Sequence, residues 1–160
     1  MALEPFETAH SSDTPLVTQL SVFIDDRVGQ LLQMTRLFDR TNIHILGLMV
    51  VNLTDSAVVR LIVDDPDEAA DVLTTNRFPV MHNDVLVVCV PEGKWALNRL
   101  WSAVLSAEIN VHYTYALLGL SHGRPYIAVQ AENLPMAFES LTEKGFVVLS
   151  QGDLLTGRND

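Results

Sequence analysis

The sequence contains an internal repeat with a period of 68 residues. Without a gap, residues 81–148 can be laid over residues 13–80. The two copies then share aligned polar and aromatic positions: Asn42-Ile43-His44 with Asn110-Val111-His112, Asp65 with Asn133, and Phe78 with Phe146. A period of this length is too long for the usual solenoid repeats and suits a small folding unit with its own core. We therefore expect two related modules within the 160 residues.

The composition predicts a packed and acidic protein. Hydrophobic residues make up 48% of the chain, which argues against intrinsic disorder. Twenty Asp and Glu against ten Lys and Arg give a net charge of −10, which repels nucleic acid and anionic lipid surfaces. No apolar run approaches the roughly 18 residues of a membrane span, and the N-terminus shows no secretory leader. We expect a cytoplasmic protein without a nucleic-acid or membrane partner.

Each copy has the pattern of a strand, a helix, two strands, a helix and a strand. Asp65 and Pro66 form a strong helix start, because an aspartate can cap a free N–H group and proline suits the first turn. The first helix is expected to bury residues at three- and four-residue steps: Val28, Leu31, Leu32, Thr35 and Phe38. The order βαββαβ predicts an α+β fold with two ferredoxin-like modules.

Composition also predicts the module boundaries. The expected segments are a flexible N-terminus (1–14), module 1 (15–83), module 2 (84–153) and a flexible C-terminus (154–160). The linker is almost absent, since the last strand of module 1 runs through Asn83-Asp84 into the first strand of module 2. We therefore expect the modules to pack together as a pair.

The loop before the first predicted helix carries groups that complement a free amino acid. Its sequence is Asp25-Asp26-Arg27-Val28-Gly29-Gln30-Leu31. A strand that turns through Gly29 into a helix exposes backbone N–H groups that can hold a carboxylate, and Asp25 and Asp26 can hold an ammonium group. Taken alone, the loop favours a simpler interpretation, in which one aspartate caps the helix and Gly29 relaxes a turn.

This loop, the helix after it and Thr41-Asn42-Ile43-His44 at the second strand together resemble the ACT domain, a regulatory module that binds amino acids. Val28 stands where many members have proline. The resemblance spans Leu16 to about Asp153, and the chain is similar to free-standing tandem ACT proteins named after the small regulatory subunit of acetolactate synthase. It implies two ACT modules packed as a pseudo-twofold pair, with a ligand between them.

The resemblance also implies which residues hold the ligand. The loop of one module would face the start of the second strand of the other. The first site would use Asp25, Asp26, Arg27, Val28, Gly29, Gln30 and Leu31 with Asn110, Val111 and His112. A second, weaker site would use Gly93, Lys94 and Trp95 with Asn42, Ile43 and His44. The ungapped repeat places Leu97 opposite Gly29, so the second loop must follow another path or bind less well.

Other candidate sites have simpler interpretations. His44 and His112 share a register in the ungapped repeat, but no Cys or acidic residue accompanies them at ligand spacing, which favours polar contacts over a metal. Cys89 lies in a Val-rich run and predicts a buried, inert thiol. Tyr113 and Tyr115 are assigned to packing within the protein. No catalytic constellation or cofactor fingerprint is recognisable. We expect no metal, no cofactor and no enzymatic activity.

The sequence thus predicts a non-catalytic regulatory protein that binds a free amino acid and acts in trans on a partner enzyme of amino-acid metabolism. A homodimer is expected, because open sheet edges usually pair. The alternative is an interaction and dimerisation scaffold that has lost its ligand.

Overall fold

The computed structural model describes residues 14–118, 120 and 123–156, with side chains up to Leu154. The elements in chain order are β1 (Val17–Asp25), α1 (Gln30–Arg36), β2 (Ile45–Asn52), β3 (Ser56–Val63), α2 (Pro66–Thr75), β4 (Val80–Cys89), α3 (Ala96–Ser106), β5 (Val111–Ala116), β6 (Tyr126–Ala131), α4 (Leu134–Glu143), β7 (Val148–Leu149) and α5 (Gln151–Thr156). Most of the expected flexible N-terminus, residues 1–13, lies outside the described residues, as do residues 157–160.

One strand joins the two modules. The sheet has the order β2-β3-β1-β4-β6-β5, and β7 also pairs with β4. The first half of β4 pairs with β1 up to Val85, and its second half pairs with β6 from Leu86 onwards. This confirms that the last strand of module 1 continues through Asn83-Asp84 into the first strand of module 2. The α+β fold with two βαββαβ modules is confirmed.

Each module buries one face of its strands beneath its own helices. Alternate strand residues point to the same face, so each strand supplies the helix-covered core with every second side chain. The core of module 1 includes Leu20, Val22, Val59, Leu61, Met34, Phe38 and Leu73. The core of module 2 includes Leu86, Val88, Ile127, Val129, Leu100, Val104 and Leu141. The repeat therefore encodes two separate cores, as a period of this length predicts.

The uncovered strand faces pack against each other between the modules. This third cluster includes Val17, Leu46, Ile62, Val85, Val87, Tyr115, Ala128 and Leu154. At one end, the Leu118 N–H donates to the Leu46 carbonyl at 2.6 Å, and Gly47 forms a backbone bridge with Leu117. Full burial of one aliphatic side chain stabilises a protein by about 1.5–3 kcal/mol. The modules are thus a packed pair, as the short joint predicts.

The C-terminal boundary differs from the prediction. The helix α5 extends to Thr156, and Leu154 is completely buried between the modules. The Thr18 N–H of β1 donates to the Gln151 side chain at 3.1 Å, which attaches α5 to module 1. The expectation of a flexible segment from residue 154 is therefore wrong for this last helix, because its apolar side chain completes the core between the modules.

The buried face of α1 also differs from the prediction. Met34 and Phe38 are buried, whereas Val28, Leu31 and Leu32 are exposed. The helix begins only at Gln30, so Val28 belongs to the loop and the buried side of the helix is rotated from the predicted one.

The modules correspond through two offsets, where the ungapped repeat has one. Leu20 pairs with Leu61 in module 1 and Leu86 pairs with Val129 in module 2, so the first strands differ by 66 residues and the third strands by 68. Likewise, α1 and α3 begin 66 residues apart, and α2 and α4 begin 68 apart. The two extra residues lie between β5 and β6, where the connection is longer than between β2 and β3.

This shift corrects the predicted match between the second strands. The structural equivalent of His44 is Asn110 and not His112. The N–H of His44 donates to the Asp64 carboxylate, and the N–H of Asn110 donates to Glu132, each at 2.9 Å. Gly29 correspondingly matches Trp95 and not Leu97.

Candidate functional site

The loop between β1 and α1 is exposed and makes few contacts. Gly29 adopts a left-handed conformation with φ of 88° at the start of α1, and no side chain caps this helix. Asp25 forms an exposed 3.9 Å ion pair with Arg27. The Asp26 carboxylate makes no hydrogen bond or ion pair with any described residue. The simpler interpretation, in which an aspartate caps the helix, is therefore wrong.

The corresponding loop of module 2 follows a different path. The strand β4 ends at Cys89, whereas β1 continues for two residues past the equivalent point, and the loop from Val90 to Trp95 is longer. Gly93 has φ of 114°, but Trp95 occupies the helix start and is 61% exposed. The Lys94 ammonium lies 5.1 Å from the Trp95 ring centroid. The second loop thus lacks the glycine turn that opens α1.

The starts of the second strands are held by contacts within their own modules. His44 Nδ1 lies 2.9 Å from the carboxylate of Asp64, which is buried, and this confirms the predicted polar contact. His112 Nδ1 lies 2.7 Å from Gln130 Oε1. In the part of the chain that the structure describes, no hydrogen bond or ion pair joins residues 25–31 to residues 110–112. The proposed halves of the first site are not in direct polar contact.

A polar network crosses the interface between the modules. Gln19 is completely buried, and its Nε2 donates to the Tyr113 hydroxyl at 2.8 Å. The Tyr115 hydroxyl donates to Gln19 Oε1 at 2.7 Å. Arg60 donates to the Tyr113 hydroxyl at 2.9 Å, and its guanidinium lies 4.0 Å from the Tyr113 ring centroid. Satisfied buried polar groups of this kind fix a unique arrangement of the elements that carry them.

The network also explains why both tyrosines exceed their predicted packing role. Burial, followed by the neighbouring Tyr113, raises the pKa of Tyr115, while Arg60 opposes the shift. Sequence reasoning missed the network because its members come from three strands that are far apart in the chain.

Each module has a crevice beside its first loop. The crevice of module 1 has a volume of about 500 Å³ and is lined by Phe23, Ile24, Asp25, Gln30, Gln33, Ser56, Asn76, Arg77, Phe78 and Pro79. The crevice of module 2 has a volume of about 210 Å³ and is lined by Cys89, Pro91, Arg99, Arg124, Lys144, Gly145, Phe146 and Val147. A neighbouring pocket of about 340 Å³ shares Arg99, Lys144 and Phe146 with it.

The two crevices are the same place in the repeated fold. With the two offsets, every lining residue of the module 2 crevice has its equivalent in the module 1 crevice: Cys89 with Phe23, Pro91 with Asp25, Arg99 with Gln33, Arg124 with Ser56, Lys144 with Asn76, Gly145 with Arg77, Phe146 with Phe78, and Val147 with Pro79. The module 1 crevice presents one carboxylate and one guanidinium. The module 2 crevice presents three cationic side chains.

Sequence reasoning found Asp25 and Gln30 of these lining residues but missed the cationic ones. The ungapped repeat does align Ser56 with Arg124 and Asn76 with Lys144. It misaligns Gln33 and Arg99, which belong to the half of the module with the shorter offset.

Searches for two other kinds of site find nothing in the described ranges. Within residues 14–118, 120 and 123–156, no three His, Cys, Asp or Glu side chains are grouped so that they could hold a metal ion. Among the helices described above, none is long and apolar enough to cross a membrane. Cys89 is a buried free thiol, as predicted.

Comparisons with known proteins agree with this architecture. A family model described as an ACT domain pair matches residues 16–156. The structure is similar to protein BT0572 from Bacteroides thetaiotaomicron, with 26% identity, a TM-score of 0.80, and coverage of 88% of this chain and 96% of that one. No curated protein matches the sequence.

Two more distant structures share the fold. The ligand-free regulatory subunit of aspartate kinase from Thermus thermophilus is 15% identical, with a TM-score of 0.57 and coverage of 83% of this chain and 94% of that one. The regulatory subunit of aspartate kinase from Thermus flavus is 13% identical, with a TM-score of 0.54 and coverage of 79% and 91% respectively.

Proposed function

We propose, from the premise that this chain belongs to the family of paired ACT domains, that it is a non-catalytic regulatory protein. In this proposal it binds a free amino acid and acts in trans on a partner enzyme of amino-acid metabolism. The family match covers both modules, and ACT domains are regulatory.

The observation that carries the proposal is the combination of charges beside the first loop. A free amino acid has one ammonium and one carboxylate group. Asp25 and Arg77 line the same crevice of about 500 Å³, and Gln30 adds a polar side chain from the start of α1. Buried or partly buried charges need partners of opposite sign, so a zwitterion complements this pair. Asp26, which has no partner among the described residues, supplies a further carboxylate at the rim.

We further propose that Asn110, Val111 and His112 complete the first site from module 2. Both modules border the shared interior, so a ligand beside the first loop can alter how they pack. The reciprocal site, formed by Gly93, Lys94 and Trp95 with Asn42, Ile43 and His44, is proposed to bind more weakly. Trp95 occupies the place of Gly29, and Pro91 takes the place of Asp25.

Regulation in trans requires that the ligand binds two arrangements of the protein with different affinities. The polar network between Gln19, Tyr113 and Arg60 is a suitable element, because its hydrogen bonds depend on the relative position of the modules. The two Thermus proteins are regulatory subunits of aspartate kinase. At their level of identity they share the fold alone, so we propose the class of partner and not a particular enzyme.

A thermal-shift screen of the twenty amino acids tests the proposal. A ligand at about one hundred times its dissociation constant stabilises the native state by roughly 2.7 kcal/mol, which is a clear increase in Tm for a chain of this size. We expect one amino acid or a small group of related ones to raise Tm. If none of the twenty raises Tm, the alternative of an interaction scaffold without a ligand replaces the sensor.

Substitution of Asp26 locates the site. Since no side chain caps α1, Asp26→Ala should change the free energy of unfolding by less than about 0.5 kcal/mol. We expect it to weaken amino-acid binding by about tenfold, the effect of one lost charge-assisted hydrogen bond. The control is Asp39→Ala, which removes an exposed carboxylate beyond the end of α1. Equal affinities of the two variants would move the site away from this loop.

A homodimer in the cytoplasm is part of the proposal. Val28, Leu31 and Leu32 are exposed apolar side chains at the first loop, and a second copy is one way to cover them. Analytical ultracentrifugation of the full chain tests this point, and a monomer at all concentrations would contradict it.

A further inference from the structure

We propose that the crevice of module 2 is a second ligand site, which binds a small anion with two negative charges, such as a phosphate or phosphomonoester. This site differs from the proposed amino-acid site in its place and in its ligand. It is lined by side chains of one module only.

The concentration of positive charge is the first observation. The whole chain has ten Lys and Arg and a net charge of −10. Three of these ten, Arg99, Arg124 and Lys144, line this single crevice of about 210 Å³. They come from α3, from the residues before β6 and from the end of α4, so the fold brings together cations that are far apart in the sequence.

The second observation is that these cations have no anionic partner. Within the described ranges, the side chains of Arg99, Arg124 and Lys144 form no ion pair or hydrogen bond. Among those residues, no Asp or Glu lines either the crevice or the pocket beside it. Asp153 acts electrostatically on the same Tyr126 hydroxyl as Arg124, but its carboxylate accepts two hydrogen bonds from Ser150.

The third observation is the comparison with module 1. The floor is kept, since Phe78 and Phe146 are equivalent and each is 8% exposed. The charged positions are not kept. Gln33, Ser56 and Asn76 of module 1 are neutral, and each is replaced by a cation in module 2. A solvated surface has no need to place three like charges around one concave spot, because like charges repel.

The chemistry of the cations indicates the class of ligand. Arginine presents a planar fork of N–H groups that matches phosphate and carboxylate oxygens, and lysine adds a compact positive charge. Two arginines and one lysine exceed what a single carboxylate needs. The crevice suits one phosphate group, and the adjoining pocket of about 340 Å³ has room for the rest of a small molecule. A small dicarboxylate shares this chemistry, so the experiment has an arm for each.

The experiment titrates the full chain, labelled with ¹⁵N, with inorganic phosphate and separately with succinate at constant ionic strength. We expect saturable shifts of the amide signals of Lys144, Gly145, Phe146 and Val147. Larger shifts and tighter binding with phosphate would assign the site to phosphate groups, and the opposite order would assign it to dicarboxylates. If neither anion shifts these signals, or if the shifts lie elsewhere in the chain, the proposal is overturned.

A pair of matched variants tests the residues. Arg99→Gln with Arg124→Ser installs the residues found at the equivalent positions of module 1. We expect the affinity for the anion to fall by about tenfold or more, because two charge-assisted contacts are lost. The control, Arg36→Gln with Arg40→Gln, removes the same net charge from module 1 and should retain the affinity. Equal losses in both variants would mean that only the overall charge matters and would overturn the site.

Two further measurements keep the result independent of folding and of the amino-acid site. Lys144→Asn is a single exposed substitution at a residue that also has a module 1 counterpart, and it should weaken anion binding if the double variant does not fold. Wild-type affinity in Lys144→Asn would overturn the assignment. The thermal-shift response of this variant to amino acids should match that of the wild type, so a failure of one proposal is distinguishable from a failure of the other.

Discussion

Modules 1 and 2 agree in their backbones and differ on the surface beside the first loop. Phe23 donates a backbone hydrogen bond to Pro79 at 3.0 Å, and the equivalent Cys89 donates to Val147 at 2.8 Å. Arg77 and Gly145 are also equivalent, and both have a left-handed conformation. Around this shared frame, one crevice pairs a carboxylate with a guanidinium and the other collects three cations. Duplication has thus kept the scaffold and changed the chemistry.

The difference has a physical basis in what each position must do. Core residues such as Met34 and its equivalent Leu100 are completely buried, so their volume is constrained by close packing. The lining residues Gln33 and Arg99 project from a helix beside a crevice, where a change of charge costs the core nothing. The shared interior then couples the two modules whatever their surfaces bind.

The largest expected effect tests whether the modules are one cooperative unit. Met34→Ala removes a completely buried side chain from module 1 and should lower the free energy of unfolding by about 2–5 kcal/mol. Both tryptophans, Trp95 and Trp101, belong to module 2. Because the modules share an interior, we expect tryptophan fluorescence and far-UV circular dichroism to report the same lowered midpoint. Leu100→Ala is the matched variant. A fluorescence transition that Met34→Ala leaves unmoved would show that the modules unfold independently.

The next effect concerns the polar network between the modules. Tyr115→Phe removes the hydroxyl that donates to Gln19 and leaves a buried acceptor with one partner fewer. We expect a loss of about 1–3 kcal/mol in the free energy of unfolding. Urea unfolding measures this loss, and Tyr126→Phe serves as a control outside the network. A loss no larger than in the control would mean that the network does not hold the modules together.

The pH dependence of stability offers a second test of the same tyrosine. Burial raises the pKa of Tyr115 in the folded state above its ordinary value of 10.0. Above pH 10 the unfolded state releases this proton while the folded state retains it, so the free energy of unfolding should fall as the pH rises. Tyr115→Phe lacks this contribution, and its stability should fall less steeply. Parallel slopes for the wild type and the variant would contradict the assignment.

The smallest expected effect compares two equivalent residues directly. Gly145 has φ of 85° and Arg77 has φ of 67°, a region that glycine adopts without steric cost. Gly145→Ala should lower the free energy of unfolding by about 1 kcal/mol, and Arg77→Gly should raise it by up to about 1 kcal/mol. Thermal unfolding of both variants measures the two changes. Changes of the same sign would show that the two positions are not equivalent in strain.

Much of this fold could be predicted from the sequence. The shared strand β4, the cap of α2 by Asp65 and the left-handed Gly145 all follow local rules of patterning, capping and turn chemistry. The buried face of α1 could not be predicted, because its short helix begins after Gly29 and ends at Arg36, which leaves the choice of face to tertiary packing.

The limits of the sequence are clearest at the crevices. The ungapped repeat hides the two extra residues between β5 and β6, so it pairs His44 with His112 and separates Gln33 from Arg99. A hairpin of variable length changes such an alignment without changing either core. Leu154 was assigned to a flexible end, because nothing in its local sequence shows that the space between the modules accommodates it.

The central claim is that the first loop of module 1 binds a free amino acid while its counterpart in module 2 has diverged. Isothermal titration calorimetry of the full chain, with the amino acid that raises Tm most, tests this claim most directly. The account predicts one amino acid per chain, with binding weakened in Asp26→Ala and unchanged in Trp95→Ala. Two equivalent amino acids per chain, or binding lost in Trp95→Ala and retained in Asp26→Ala, would contradict it.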